Sequence, residues 1–182
     1  MNQKLGGLFL ENSELITKAL IYIRSENTKS DINIDSDLDL AKSNFFSTHP
    51  KQDSLQFKAP KANFSLKEKT IYCSKVEYLD VADARIFPDS MKVTIRKKAV
   101  MDPLKNSVIV ANYITKYHRF VKANTYVTAR RAYTSEADYP YVDADSTVTI
   151  VHMDKIVLDS SYQTVATGKI SSEANFKLSK QF

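Results

Sequence analysis

Glycine, tryptophan and cysteine are scarce in this sequence, and each scarcity narrows what the chain can be. Only Gly6, Gly7 and Gly168 occur among 182 residues. No GxGxxG, Walker or GxSxG pattern is present, which removes the common nucleotide-binding and serine-hydrolase chemistries. Turns must then be built from Asn, Asp, Ser and Pro, whose side chains or fixed φ favour chain reversal. Cys73 is the single cysteine, so an intrachain disulfide is impossible. It lacks a CxxC partner, and a buried structural thiol is the expected state. No apolar run reaches the 18 residues of a membrane-spanning helix. Near the start, only Leu8-Phe9-Leu10 is apolar, too short for a signal-peptide core. The chain is therefore expected to be either cytoplasmic or an internal piece of a longer exported protein, placed in the cell envelope or periplasm.

What is present describes a folded domain. The composition is 43% hydrophobic and 26% charged, enough apolar surface for a substantial core and too much for wholesale disorder. Residues 1–182 are read as one β-rich module. The net charge of +5, from 26 basic against 21 acidic residues, is spread along the chain. That distribution reads as solubility rather than as a nucleic-acid footprint.

The clearest pattern is Met91–Val100. Val93 and Ile95 alternate with Lys92, Thr94 and Arg96, which places the two sets on opposite faces of a strand. Pro88-Asp89-Ser90 turns the chain before it, and Asp102-Pro103 after it. The same alternation runs through Leu55, Phe57 and Ala59, and through Ala62, Phe64 and Leu66. Lys67-Glu68-Lys69 turns into Thr70-Ile71-Tyr72. From Val76 to Ile86 the apolar face changes phase, which predicts a β-bulge or bend. Ser107–Ile114, Ala123–Ala132, Thr147–Met153 and Thr164–Ile170 are further predicted strands. Breaks are predicted at Ser135-Glu136, Asp143–Ser146 and Asp159–Ser161, and His49–Asp53 reads as a loop. Ser13–Arg24 fits a capped helix or a strand, and strand is preferred. The fold class is all-β: an elongated antiparallel sheet in a β-taco, jelly-roll or solenoid-like sandwich.

An internal echo accompanies the strands. Ala62–Leu66 returns as Ala174–Leu178, and Val81–Ile86 returns loosely as Val165–Ile170. The offsets are multiples of 28, the length of two long strands with their turns.

Candidate chemistry is sparse. His49, His118 and His152 have no metal-ligand spacing. A Cys73–His118 nucleophile pair would need a third, orienting group, which no local pattern supplies. The pairs Asp80/Asp83 and Asp143/Asp145 invite glycosidase or calcium readings. In the latter, however, Val148 stands where a calcium loop needs Gly, and turn carboxylates account for both pairs. Arg96-Lys97-Lys98 and Arg130-Arg131 are the basic clusters, with Tyr126 and Tyr133 near the second. A solvated sheet face explains them better than nucleic-acid binding. Tyr113, Tyr117, Tyr126, Tyr133, Tyr139 and Tyr141 could line a glycan or lipid groove, although the absence of Trp weakens a sugar platform.

At Val81–Asp89, at Ala111-Asn112 with Thr115–His118, and at Asp138–Tyr141, the chain resembles the very large β-rich envelope proteins of some Gram-negative bacteria. Their strand spacing is in turn loosely similar to the β-taco or jelly-roll modules of lipopolysaccharide transport. The resemblance implies no catalytic, metal or cofactor residues. It implies a non-catalytic structural or lipid/polymer-transport module, with a glycan- or protein-binding adhesin module as the alternative. Partners would be a lipid, a glycan or another envelope protein. For lipid handling, the expected apolar lining is Val81, Ala82, Ala84, Val93, Ile95, Val110 and Ala111. A closed sandwich would use the same residues as its core.

Overall fold

Without glycine at its turns, the chain makes many of its reversals with residues that rarely adopt left-handed backbone. Ala82, Met91, Lys98, Asn112, Lys116 and Tyr162 all have φ between 49° and 61°, where a side chain is sterically strained. These reversals join short antiparallel strands. The structure, a computed structural model, describes residues 8–10, 31–33, 44–47, 49–65 and 67–170. The strands are β1 (Leu8–Leu10), β2 (Asp31–Asn33), β3 (Asn44–Ser47), β4 (Gln56–Lys58), β5 (Lys61–Ser65), β6 (Thr70–Ser74) and β7 (Leu79–Val81). They continue as β8 (Ala84–Phe87), β9 (Lys92–Ile95), β10 (Leu104–Ala111), β11 (His118–Ala129), β12 (Ala132–Val142), β13 (Val148–Leu158) and β14 (Thr164–Gly168). Among the described residues there is no α-helix, only 3-10 turns at Pro50–Gln52 and Lys97–Ala99. The fold is all-β, as the alternation predicts.

The strands form three antiparallel sheets, ordered β1-β3-β4, β2-β5-β6-β9 and β14-β13-β12-β11-β10-β8-β7. The seven-stranded sheet curls into a half-barrel, in keeping with a sandwich or taco-like arrangement. All three sheets contribute to one buried cluster. Phe45 and Phe57 stack at 5.9 Å, Cys73, Val93 and Ile95 come from the four-stranded sheet, and Leu79, Ile86, Ile109 and Ile156 from the large one. Burial removes apolar surface from water at about 25 cal/mol per Å², so this shared cluster is the main force joining the sheets.

Strand β9 matches the pattern read from it. Val93 and Ile95 are 1% and 2% exposed, while Lys92 and Arg96 lie in solvent. Arg96 folds back onto Asp102 through two hydrogen bonds of 2.5 and 2.7 Å. Its neighbours Lys97 and Lys98 belong to a tight turn rather than to a continuing strand.

Four expectations change. The phase switch between Val76 and Ile86 is a hairpin, not a bulge: β7 pairs with β8 with Val81 opposite Ala84, and Ala82-Asp83 makes the turn. Ala82 takes the left-handed position at φ 54° that a two-residue hairpin usually gives to Gly or Asn, so the usual turn signature is missing. Ser135-Glu136 does not break a strand but lies within β12, and the true reversal is at Arg130-Arg131. His49–Asp53 contains a 3-10 turn, begun when His49 Nδ1 accepts a hydrogen bond from the Lys51 amide. The 28-residue echo is not reproduced at Val81–Ile86 and Val165–Ile170, because the first turns through a hairpin while Val165–Gly168 lies within the single strand β14. Ser13–Arg24 and Ala174–Leu178 lie outside the described residues.

Ser135 is buried for a reason that polarity alone hides. Its hydroxyl lies 3.1 Å from that of Thr125, which lies 2.9 Å from that of Ser107. Ser107 donates to the Ala123 carbonyl and Ser135 to the Asn124 carbonyl. A ladder of hydroxyls thus crosses β10, β11 and β12 inside the sheet, with its polar atoms satisfied, which is the condition for burying them cheaply.

Gly168 is the one glycine among the described residues, and close approach explains it. A β-carbon there would sit 2.4 Å from the His152 carbonyl oxygen and 2.8 Å from the Met153 sulfur. Only Gly lets β14 lie flat against β13 at this point.

Candidate functional site

The curl of the large sheet carries its β7–β8 turn to the opposite edge. There Asp83 accepts hydrogen bonds from both the amide and the hydroxyl of Thr164, the first residue of β14, at 3.0 and 2.6 Å. The Ala82 amide donates to the Arg130 carbonyl at 2.9 Å, and the Arg130 amide donates to the Gln52 carbonyl at 3.0 Å. The Tyr113 amide donates to the Asp83 carbonyl at 3.1 Å. Main-chain bonds therefore fix four connections around one spot. Between them lies a cleft of about 790 Å³, bounded by β4, the β7–β8, β11–β12 and β13–β14 turns, and the β10–β11 loop.

The walls combine tyrosine rings with paired charges. Arg85 binds Asp80 through two hydrogen bonds of 2.7 and 3.0 Å. Its guanidinium lies over Tyr78 at 3.9 Å and over Tyr113 at 4.7 Å from the ring centres. This stacks a planar cation on two π-faces, a favourable electrostatic arrangement. On the opposite side Arg131 donates to Asp53 at 2.7 Å and lies over Tyr162 at 4.9 Å. The hydrogen bonds that Arg85 and Arg131 donate to Asp80 and Asp53 raise the pKa of both above the ordinary arginine value, so both stay cationic. Asp159 shapes the β13–β14 turn by accepting from the Ser161 and Gln163 amides at 2.8 and 2.9 Å.

The charge balance follows from these partners. Asp80 and Asp53 are matched by Arg85 and Arg131. Asp83 has both oxygens engaged by Thr164. Lys58 and Arg130 line the cleft without an ion-pair partner among the described residues. The unmatched groups are two cations and one carboxylate, so the cleft is net positive by one charge.

Of the residues singled out from sequence, the fold brings Asp80, Asp83, Tyr113, Arg130 and Arg131 to this one place. Gln56, Lys58, Tyr78, Tyr162 and Gln163 were not anticipated. Their signal is weak in one dimension because they come from three places far apart in the chain: β4, the segment before β7, and the β13–β14 turn. Tyr133 is buried behind the cleft, with its hydroxyl 2.7 Å from that of Thr164. Tyr139 instead meets His118 Nδ1 at 3.0 Å, and Tyr117 and Tyr126 lie exposed elsewhere. The expected acyl lining is solid core at Val81, Ala84, Val93, Ile95 and Ala111, all buried, whereas Val110 is half-buried and Ala82 borders the polar cleft.

The remaining candidates have structural partners. Cys73 is buried on β6, and burial pushes its thiol up to about 12, far from a reactive thiolate. His118, on β11 of the seven-stranded sheet, is engaged by Tyr139 of the neighbouring strand β12. Asp143 accepts from the Asp145 and Thr147 amides at 2.9 and 2.8 Å, which makes it a turn carboxylate. Among the described residues no three His, Cys, Asp or Glu side chains gather closely enough to hold a metal ion, and no helix is long and apolar enough to cross a membrane.

Compared with known proteins, the chain matches no family model, no curated protein and no solved structure.

Proposed function

We propose that this chain is a non-catalytic binding module whose ligand is a glycan, held in the cleft between the β7–β8, β11–β12 and β13–β14 turns. The observation that carries the reading is the grouping of Tyr78, Tyr113 and Tyr162 with Arg, Asp and Gln side chains around about 790 Å³ of fixed space. Sugars offer apolar C–H faces and a ring of hydroxyls. Tyrosine rings meet the faces, and the glutamine amides and the Arg130 guanidinium meet the hydroxyls. The carboxylates are committed elsewhere: Asp80 is locked to Arg85 and Asp83 to Thr164. A general acid or base must be free to exchange a proton with its substrate, so these groups suit binding rather than catalysis.

The cell envelope is the proposed setting, on the strength of the resemblance at Val81–Asp89 and Asp138–Tyr141. A structural or lipid/polymer-transport role in that setting remains the broader frame. Within it, the filled core at Val81, Ala84 and Ala111 favours sugars over acyl chains as the ligand. Saturation-transfer NMR with a panel of oligosaccharides tests the reading. Binding should transfer saturation from protein aromatic protons to the sugar, and Tyr162→Ala should reduce it severalfold. Absence of transfer from every oligosaccharide tried would reject the glycan reading.

A further inference from the structure

We infer that the cleft selects glycans bearing an anionic group, a carboxylate or a phosphate, and that Arg130 and Lys58 recognise that group. The inference rests on the glycan reading above and adds the charge of the ligand to it. Arg131 in the cleft already faces Asp53, and the lining carboxylate Asp80 is matched by Arg85 beside it. Arg130 and Lys58 face no carboxylate among the described residues, although both line the same space. Two unmatched cations beside tyrosine faces form a receptor for a sugar that carries its own negative charge.

The Arg130 backbone supplies the second part of the argument. Its amide and carbonyl are both held, by Gln52 and Ala82 at 3.0 and 2.9 Å, so its side chain starts from a fixed turn. Preorganisation of this kind lowers the entropy lost when a ligand is bound. A guanidinium can clasp a carboxylate or phosphate through two parallel hydrogen bonds, while Lys58 adds a point charge from the facing strand β4. Asp83 keeps its negative charge while accepting from Thr164, and the two unmatched cations still exceed it by one.

The test uses titration calorimetry with short oligogalacturonates, their methyl esters, a phosphorylated oligosaccharide and inorganic phosphate. The methyl ester keeps the sugar ring and hides the charge. Binding of the free acid at least about tenfold tighter than the ester, or the same preference for the phosphorylated sugar, is expected from charge-assisted hydrogen bonds. R130Q and K58Q should each weaken binding of the acid more than binding of the ester, and so shrink that preference. R119Q, on the exposed face of β11, should alter neither. Added salt should weaken acid binding selectively, and this readout stands even if R130Q fails to fold. Equal binding of acid and ester, insensitive to salt, would overturn the inference and leave the glycan reading intact. Inorganic phosphate bound as tightly as any anionic sugar would also overturn it. Failure of every sugar would remove the glycan reading itself.

Discussion

The hydroxyls of Tyr133 and Thr164 lie 2.7 Å apart, although 31 positions separate them in the chain. Thr164 gives its single hydroxyl proton to Asp83 at 2.6 Å, so Tyr133 must be the donor between the two. A relay therefore runs from β12 through β14 to the β7–β8 turn, and it holds the curled sheet shut behind the cleft. Replacing Asp83 with Ala should destabilise the fold by about 2–3 kcal/mol, because it removes two hydrogen bonds to a charged acceptor. Tyr133→Phe should cost only about 1 kcal/mol. Urea unfolding of the two variants checks the order; equal midpoints would show that the relay does not close the sheet.

The histidines His118 and His152 should titrate on opposite sides of the ordinary histidine value. Burial lowers His118. The hydrogen bond that His152 donates to Asp138, at 3.0 Å, raises His152. The contribution of His152 is therefore present below about pH 6.5 and lost as pH rises through its folded value. Asp138, lowered chiefly by the same bond to His152, contributes above about pH 4 and loses it as pH falls. His118 behaves in the reverse sense to His152, its neutral form becoming costly as acid is added. Imidazole NMR signals should show this ordering, and Asp138→Asn should bring His152 down while leaving His118 in place. A lower value for His152 than for His118 would contradict the pairing.

Cys73 should resist thiol reagents until the protein unfolds. Its burial raises the thiol to about 12, and nucleophilic attack requires the thiolate. The unfolded thiol ionises near 8.5. Stability drawn from keeping it neutral is thus complete below about 8.5 and is lost as pH climbs toward 12. Labelling rates followed across a urea series should track the unfolded fraction. Rapid labelling of the native protein would place the thiol at the surface.

The two faces of β9 should respond differently to truncation. Ile95, 2% exposed and packed in the shared core, should cost about 2–4 kcal/mol when changed to Ala. Lys92 projects into solvent, and Lys92→Ala should stay within about 0.5 kcal/mol. Equal effects in denaturant titration would mean that the strand is not half-buried.

Period-two alternation made the strands legible wherever one face is dry and the other wet, as at β4, β5 and β9. It failed where polar side chains are buried in pairs. Ser135 reads as a turn residue in sequence, yet it is one rung of a hydroxyl ladder whose other members, Thr125 and Ser107, come from different strands. The hairpin at Ala82 was hidden because it lacks the Asn or Gly that usually announces one. The cleft was half legible: Asp80, Asp83, Arg130, Arg131 and Tyr113 stood out as residue types. What joins them is the curl that brings two edges of a sheet together, and contacts 81 positions apart leave no local pattern.

Left-handed backbone at residues with side chains makes the turns a place where stability can be adjusted one position at a time. Lys75, Met91 and Lys98 each hold φ above 50°, a conformation that costs about 1–2 kcal/mol in a residue with a β-carbon. Glycine there would relieve that strain while giving the unfolded chain more freedom, so the two effects oppose and a modest net gain is expected. Ala82 and Tyr162 share the conformation but stand on the cleft itself. For them the same exchange would loosen the rim that positions the ligand, so heat resistance and recognition would move in opposite directions at those two positions.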